Sequence, residues 1–137
     1  MEEVKVIIDS NVLVSILKGS RKLLPIYLAF RNKEFILVVT PQLLKELAAV
    51  LYRPRLKIDT KDIKELFRVI KENSLYLKPP KKPLGVCRDP EDNFILQAAL
   101  EAKAKFIVTG DKDLLVLNPF KGISLTTPAK FISWLKR

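Results

Sequence analysis

The sequence predicts an α/β fold: a three-layer α/β/α sandwich around a central, mostly parallel sheet of about five strands. Three observations carry that expectation. Short, β-branched apolar runs such as Val4-Lys5-Val6-Ile7-Ile8 and Phe35-Ile36-Leu37-Val38-Val39 read as strands buried on both faces. Stretches with apolar residues at helical spacing lie between such runs. Thr-Pro and Asp-Pro pairs open several of those stretches, and Pro is favoured at the first helical position. Strands alternating with amphipathic helices argue for parallel pairing. At 137 residues the chain has the length of one domain, taken as 1–137.

Each element follows from local residues. The first strand spans 4–8 and ends at Asp9. Residues 11–17 form a short helix with Val12, Leu13 and Ile16 inward, stopped by Gly19. A second helix covers 21–32, started at Ser20. After the strand at 35–39, Thr40 caps a helix opened by Pro41; it reaches about Tyr52 and is broken by Pro54. Asp59 or Thr60 caps a helix over 62–72 whose Ile63, Leu66, Phe67 and Ile70 share one face. A short strand at 75–77 leads into Lys78-Pro79-Pro80-Lys81-Lys82-Pro83, a stiff basic loop. Asp89 caps and Pro90 opens a helix that reaches Lys103, with Phe94, Ile95, Ala98, Ala99 and Ala102 as its apolar face. Phe106-Ile107-Val108 is a strand closed by Thr109-Gly110-Asp111, and a short helix follows. A strand near 123–125 and a helix opened by Thr127-Pro128, ending in Trp134 and Leu135, complete the set.

Composition removes much chemistry. The chain has no His, one Cys (Cys87) and one Met. That excludes a Ser-His-Asp triad, imidazole acid–base work and His or Cys-rich zinc sites. It also excludes disulfide frameworks and iron–sulfur clusters. Catalysis must rest on carboxylates, amines, hydroxyls or a metal held by oxygen. The net charge of +10 favours a polyanionic partner, nucleic acid first among them. No apolar run approaches the ~20 residues of a membrane helix. Met1-Glu2-Glu3-Val4-Lys5 is no secretory leader, so a cytoplasmic protein without membrane attachment is expected. Plentiful Lys, Glu and Ile beside scarce Gln, Cys and Met lean toward a thermophile source.

In open parallel sheets, ligands bind beyond the carboxyl ends of the strands at a topological switch point. Asp9 follows the first strand, Asp111 follows the strand at 106–108, and Asp113 lies two residues further on. If those strands are neighbours, Asp9 and Asp111 meet at one sheet edge, where a hard cation such as Mg²⁺ or Mn²⁺ would relieve their repulsion. Glu46 sits among Leu43, Ala49 and Val50, and Asp92 lies in the first turn of its helix. Each acid also has a structural reading. Asp9 and Asp111 read as helix caps, Asp113 as a first-turn acid, Asp89 with Asp92 as a capping pair, and Glu46 as a partner for Arg53.

These residues resemble the PIN-domain family, metal-dependent ribonucleases that include VapC-type toxins. The resemblance runs through Ile7-Ile8-Asp9-Ser10-Asn11-Val12-Leu13, Glu46 in its helix, Asp89-Pro90-Glu91-Asp92-Asn93-Phe94-Ile95 and Val108-Thr109-Gly110-Asp111-Lys112-Asp113-Leu114-Leu115, in that order. Thr127-Pro128-Ala129-Lys130-Phe131 is similar to the closing segment of a toxin subgroup of the family. The resemblance implies Asp9, Glu46, Asp92 and Asp111 as the catalytic, metal-binding acids, with Asp113 as a further metal ligand. It implies Asn11, Ser10 and Thr109 as supporting polar residues, Ser10 standing where the family more often has Thr. It favours Asp92 over Asp89 as the site acid. It also implies Mg²⁺ or Mn²⁺, an RNA substrate, an antitoxin partner and a homodimer or higher homo-oligomer.

Two other readings compete. An aspartyl-nucleophile phosphatase would use Asp9, but such enzymes want a second Asp where this chain has Asn11. A non-catalytic basic RNA-binding or regulatory module would bind RNA without metal dependence; the 8% aromatic content, placed on expected core faces, offers no stacking platform.

Overall fold

Among the described residues five short strands pair into one sheet, the three inner ones apolar on both faces and the two at its edges mixed with polar residues. The structure, a computed structural model, describes residues 3–78 and 90–137, including all of their side chains but those of 90 and 91. The strands are β1 (Lys5–Ile8), β2 (Ile36–Val39), β3 (Ser74–Tyr76), β4 (Phe106–Val108) and β5 (Ser124–Thr126), in the order β3-β2-β1-β4-β5. Every pairing is parallel. From β1 the chain builds outward to β2 and β3 on one side, then returns to lay β4 and β5 on the other. The switch point therefore lies between β1 and β4.

Alternation along the strands divides the core in two. Val6, Ile8, Leu37, Val39, Phe106 and Val108 enter one cluster. It is filled by α1 (Ser10–Leu17), α2 (Leu24–Arg31), α3 (Pro41–Leu51), α4 (Thr60–Asn73) and α7 (Pro128–Leu135). Ile7, Val38 and Ile107 enter the other, which is covered by α5 (Pro90–Ala102) and α6 (Lys112–Leu115). These are the three layers expected. Phe131 lies fully buried among Phe35 and Phe106, with ring centroids 5.3 and 5.5 Å away. Trp134 packs on Phe106 at 4.8 Å and is roofed by the Arg137 guanidinium at 4.2 Å. It is a packing residue with a cation–π lid.

Most caps fall where expected. Thr40 accepts from the Leu43 N–H, Asp59 from Lys61 and Thr127 from Lys130. The second helix is a correction: it starts at Leu24, not near Arg21, and Ser20 does not cap it. The Ser20 N–H is committed to the Ser15 carbonyl, closing α1, and Pro25 sets the later start. Past Pro54 the chain makes a short 3₁₀ turn over Pro54–Leu56, which the sequence reading did not foresee. The basic proline loop, Cys87 and the Asp89 cap fall outside the described residues.

Three helices end in the same way. One or two residues past each helical end the chain turns left-handed, at Gly19 (φ 98°), Lys33 (φ 58°) and Lys103 (φ 57°). The paired bonds of a Schellman motif follow: Ser20 N–H to Ser15 O with Gly19 N–H to Ile16 O, Glu34 to Ala29 with Lys33 to Phe30, and Ala104 to Ala99 with Lys103 to Leu100. A side chain at positive φ is strained, and glycine is not. Replacing Lys33 or Lys103 by Gly should raise stability by roughly 0.5–1 kcal/mol each, because relief of strain outweighs added freedom in the unfolded chain. Urea unfolding midpoints check this, and the same change at helical Lys64 should lower the midpoint instead.

Candidate active site

The site begins with strand register. Ile8 of β1 lies beside Val108 of β4. The ladder continues one residue further, since the Asp9 N–H donates to the Val108 carbonyl at 2.9 Å. On the other side of β4, the Thr109 N–H donates to the Thr126 carbonyl at 3.0 Å. Asp9 and Thr109 are thus fixed by backbone at the carboxyl edge of the sheet, at the switch point.

Thr109 is fully buried and its hydroxyl works in both directions. Oγ1 donates to Asp9 Oδ2 at 2.8 Å and accepts the Asp111 N–H at 3.0 Å. Asp9 Oδ1 accepts the Asn11 N–H at 3.3 Å, capping α1. Asp111 Oδ1 accepts the Asp113 N–H at 2.9 Å, capping α6. The structural reading of both acids is therefore right, and it leaves room for chemistry. A carboxylate has about four lone-pair sites, and capping uses one. Among the described residues, no Lys or Arg forms an ion pair with Asp9, Asp111 or Asp113.

The remaining candidates come from neighbouring elements. Asn11 and Glu46 line one open groove of about 1000 Å³ together with Phe94. Glu46 is half-buried on α3, whose Leu43, Leu47 and Leu51 face the core. Asp92 is buried near the start of α5, two residues before Phe94. Asp113 is exposed on α6. Ser10 is buried and borders a small internal space with Ile8 and Leu13, away from the groove lining. Two groupings result: the strand-end pair with Asp113, and the groove with Glu46 and Phe94. Asn11 belongs to both, bonded to Asp9 through its amide and lining the groove.

Among the described residues, no three acidic side chains gather closely enough to surround an ion. The strand-end donors are nonetheless of the right kind for Mg²⁺ or Mn²⁺. They are all oxygens, and Mg²⁺ is commonly held by one or two carboxylates while keeping several waters. Asp9 and Asp111 would suffice as direct ligands.

Sequence reasoning missed the groove itself. Phe94 was expected on a core face, yet it is only partly buried and lines the opening, as do Lys45 and Arg53. The signal available was the helical repeat of α3, where Lys45, Glu46 and Ala49 form a stripe opposite the buried leucines, with Arg53 just past the helix end.

Parallel strands that deliver acids to a switch point, flanked by helices on both faces, define an α/β domain built for ligands beyond its strand ends. The chain belongs to the PIN-domain family: the family model matches residues 5–113. PIN domains are generally nucleases and typically use divalent metal ions. The uncharacterized protein MJ1680 of Methanocaldococcus jannaschii is 31% identical over 144 aligned positions, covering 95% of this chain and 90% of that protein. The crystal structure of PAE2754 from Pyrobaculum aerophilum superposes with a TM-score of 0.62 over 97% of this chain and 90% of that one, at 15% identity, and so shares the fold.

Thr109→Val should keep the side chain's shape and remove its hydroxyl, leaving Asp9 Oδ2 and the Asp111 N–H without that partner. The expected loss is about 1–3 kcal/mol, measured by urea unfolding.

Proposed function

We propose that this PIN domain is a ribonuclease that hydrolyses RNA phosphodiester bonds with Mg²⁺ or Mn²⁺. The observation that carries the reading is the Thr109 hydroxyl tying Asp9 to the Asp111 backbone at the β1/β4 switch point. Asp9 and Asp111 would hold the ion, with Glu46, Asp92 and Asp113 as the surrounding acids. When bound, such an ion supplies Lewis acidity at a phosphoryl oxygen and makes a neighbouring water more acidic. Thr109 fixes the Asp9 carboxylate, so its orientation need not be found anew with each substrate. With no histidine in the chain, a carboxylate takes the proton of the attacking water. Asp92 and Asp113 are the acids assigned to orient that water. The net charge of +10 draws in a polyanion that the acids alone would repel.

We read the protein further as the toxin of a toxin–antitoxin pair, acting as a homodimer in the cytoplasm. The likeness of Thr127-Pro128-Ala129-Lys130-Phe131 to the closing segment of a toxin subgroup supports this. Induced synthesis should then halt bacterial growth, and co-synthesis of the product of the adjoining gene should restore it; unimpeded growth would count against the toxin role.

The chemistry is tested with purified protein and end-labelled single-stranded RNA. Cleavage should require Mn²⁺ or Mg²⁺ and stop on adding a chelator. Asp9→Asn should reduce the rate on the order of 100-fold or more. Asn is also a good helix cap, so α1 should persist in that variant. Cutting that survives both the chelator and the substitution would refute this mechanism, and metal-independent RNA binding without cutting would favour the binding-module reading.

A further inference from the structure

We propose that the exposed stripe of α3 is a track for single-stranded RNA, with Lys45 and Arg53 gripping phosphates and Phe94 of α5 carrying a base. The proposal rests on the ribonuclease reading above and adds where the strand lies.

The groove wall is unlike an ordinary solvated helix face. Lys45, Ala49, Val50 and Arg53 line it from α3 and the residues just beyond, and Phe94 lines it from α5. Both cations are exposed, and neither is ion-paired among the described residues. Arg53 lies eight positions after Lys45 and just past the end of α3, about 12 Å away at the helical rise. At roughly 3.4 Å per stacked nucleotide, that spans three to four nucleotides. Cations at either end with apolar surface between match the alternation of phosphate and base in a single strand. An aromatic ring within a basic groove is the usual means of holding a base without sequence preference.

The position of Glu46 sets the register. It lines the groove beside Lys45, and Asn11 lines it next to Asp9. A strand lying on Lys45 therefore passes Glu46 and Asn11, whose amide is bonded to Asp9, whereas Arg53 holds it roughly 10 Å from Glu46, about three nucleotides further along. An acidic peptide could use the two cations, but nothing in its chemistry calls for passage beside acids at the strand ends. A phosphodiester chain is the occupant that does.

Binding is measured separately from cutting, in the full chain carrying Asp9→Asn. Fluorescence anisotropy with a labelled 12-nucleotide oligouridylate is recorded from about 50 to 300 mM KCl in Mg²⁺, the range over which phosphate contacts set the slope. Combining Lys45→Ala with Arg53→Ala should lower the slope of log affinity against log salt by roughly 1.4, about 0.7 per lost phosphate contact. Affinity near 100 mM salt should fall roughly tenfold. Phe94→Leu, which keeps an apolar group of similar bulk, should weaken binding roughly fivefold or more and leave the slope unchanged. Lys71→Ala with Lys136→Ala, on helix ends at the opposite edge of the sheet, should change neither. An unchanged slope in the groove variant would overturn the proposal and give the groove to a protein partner. An equal loss in the control would overturn it as well, since charge alone would then explain binding. Failure of the ribonuclease reading shows differently: the unsubstituted chain would not cut RNA in Mn²⁺, whatever the binding slopes.

Discussion

A buried hydroxyl at 2.8 Å from one aspartate and 3.0 Å from the amide of another holds the carboxyl edge of this protein together. Thr109 can play that part only because β1 and β4 are adjacent and in register, with Ile8 beside Val108. Shifting the register by one residue would turn every alternate side chain to the other face, emptying both cores and parting Asp9 from Thr109. Core packing and site geometry are therefore one constraint. The same apolar alternation that sends Ile7 to one layer and Ile8 to the other also sets where the acids emerge.

The acids at that edge stand within a strongly basic chain, and distance resolves the apparent conflict. At physiological ionic strength charges beyond about 8 Å are largely screened. What a carboxylate at the edge meets is therefore local: the Thr109 hydroxyl, the amide of Asn11 and the start of α1. The remote lysines set solubility and the basic surface that a polyanion meets on contact, not the site. Surface pairs matter little to stability for the same reason. Arg68 bridges Glu65 and Glu72 on the solvent face of α4, where water screens such contacts and leaves them little to contribute. Arg68 holds the Glu65 carboxyl below its ordinary pKa, so what little the pair contributes is lost in acid.

Much of the fold was legible because apolar runs and helix starts are local signals. The strand at 106–108 and the caps Thr40 and Thr127 were read from a few residues each and stand as read, and of the two caps offered for α4 it is Asp59 that serves. The second helix misled because Ser20 is a good cap type, yet it sits in the closing turn of α1, and the helix starts only after Leu23, with Pro25 in its first turn. Lys33 and Lys103 could not be read as helix stops, since a lysine gives no local hint that it will turn left-handed. At the site, Asp9 and Asp111 were legible as strand ends, but their link through Thr109 depends on strand order, which no local pattern contains. Phe94 was placed on a core face by its helical spacing. Its real setting depends on how α5 lies against α3, and periodicity does not encode that.

One partner of the central hydroxyl bridge enters the chain early and the other late. Exactly one hundred positions separate Asp9 from Thr109, and β5 must still be added beyond them to anchor the Thr109 amide. Closing so wide a loop is entropically costly and comes after the local helices have formed. During synthesis, the chain must have emerged through β5 before this edge can assemble. A nascent piece that stops short of Thr126 lacks the carbonyl that anchors Thr109, so it cannot carry the assembled edge.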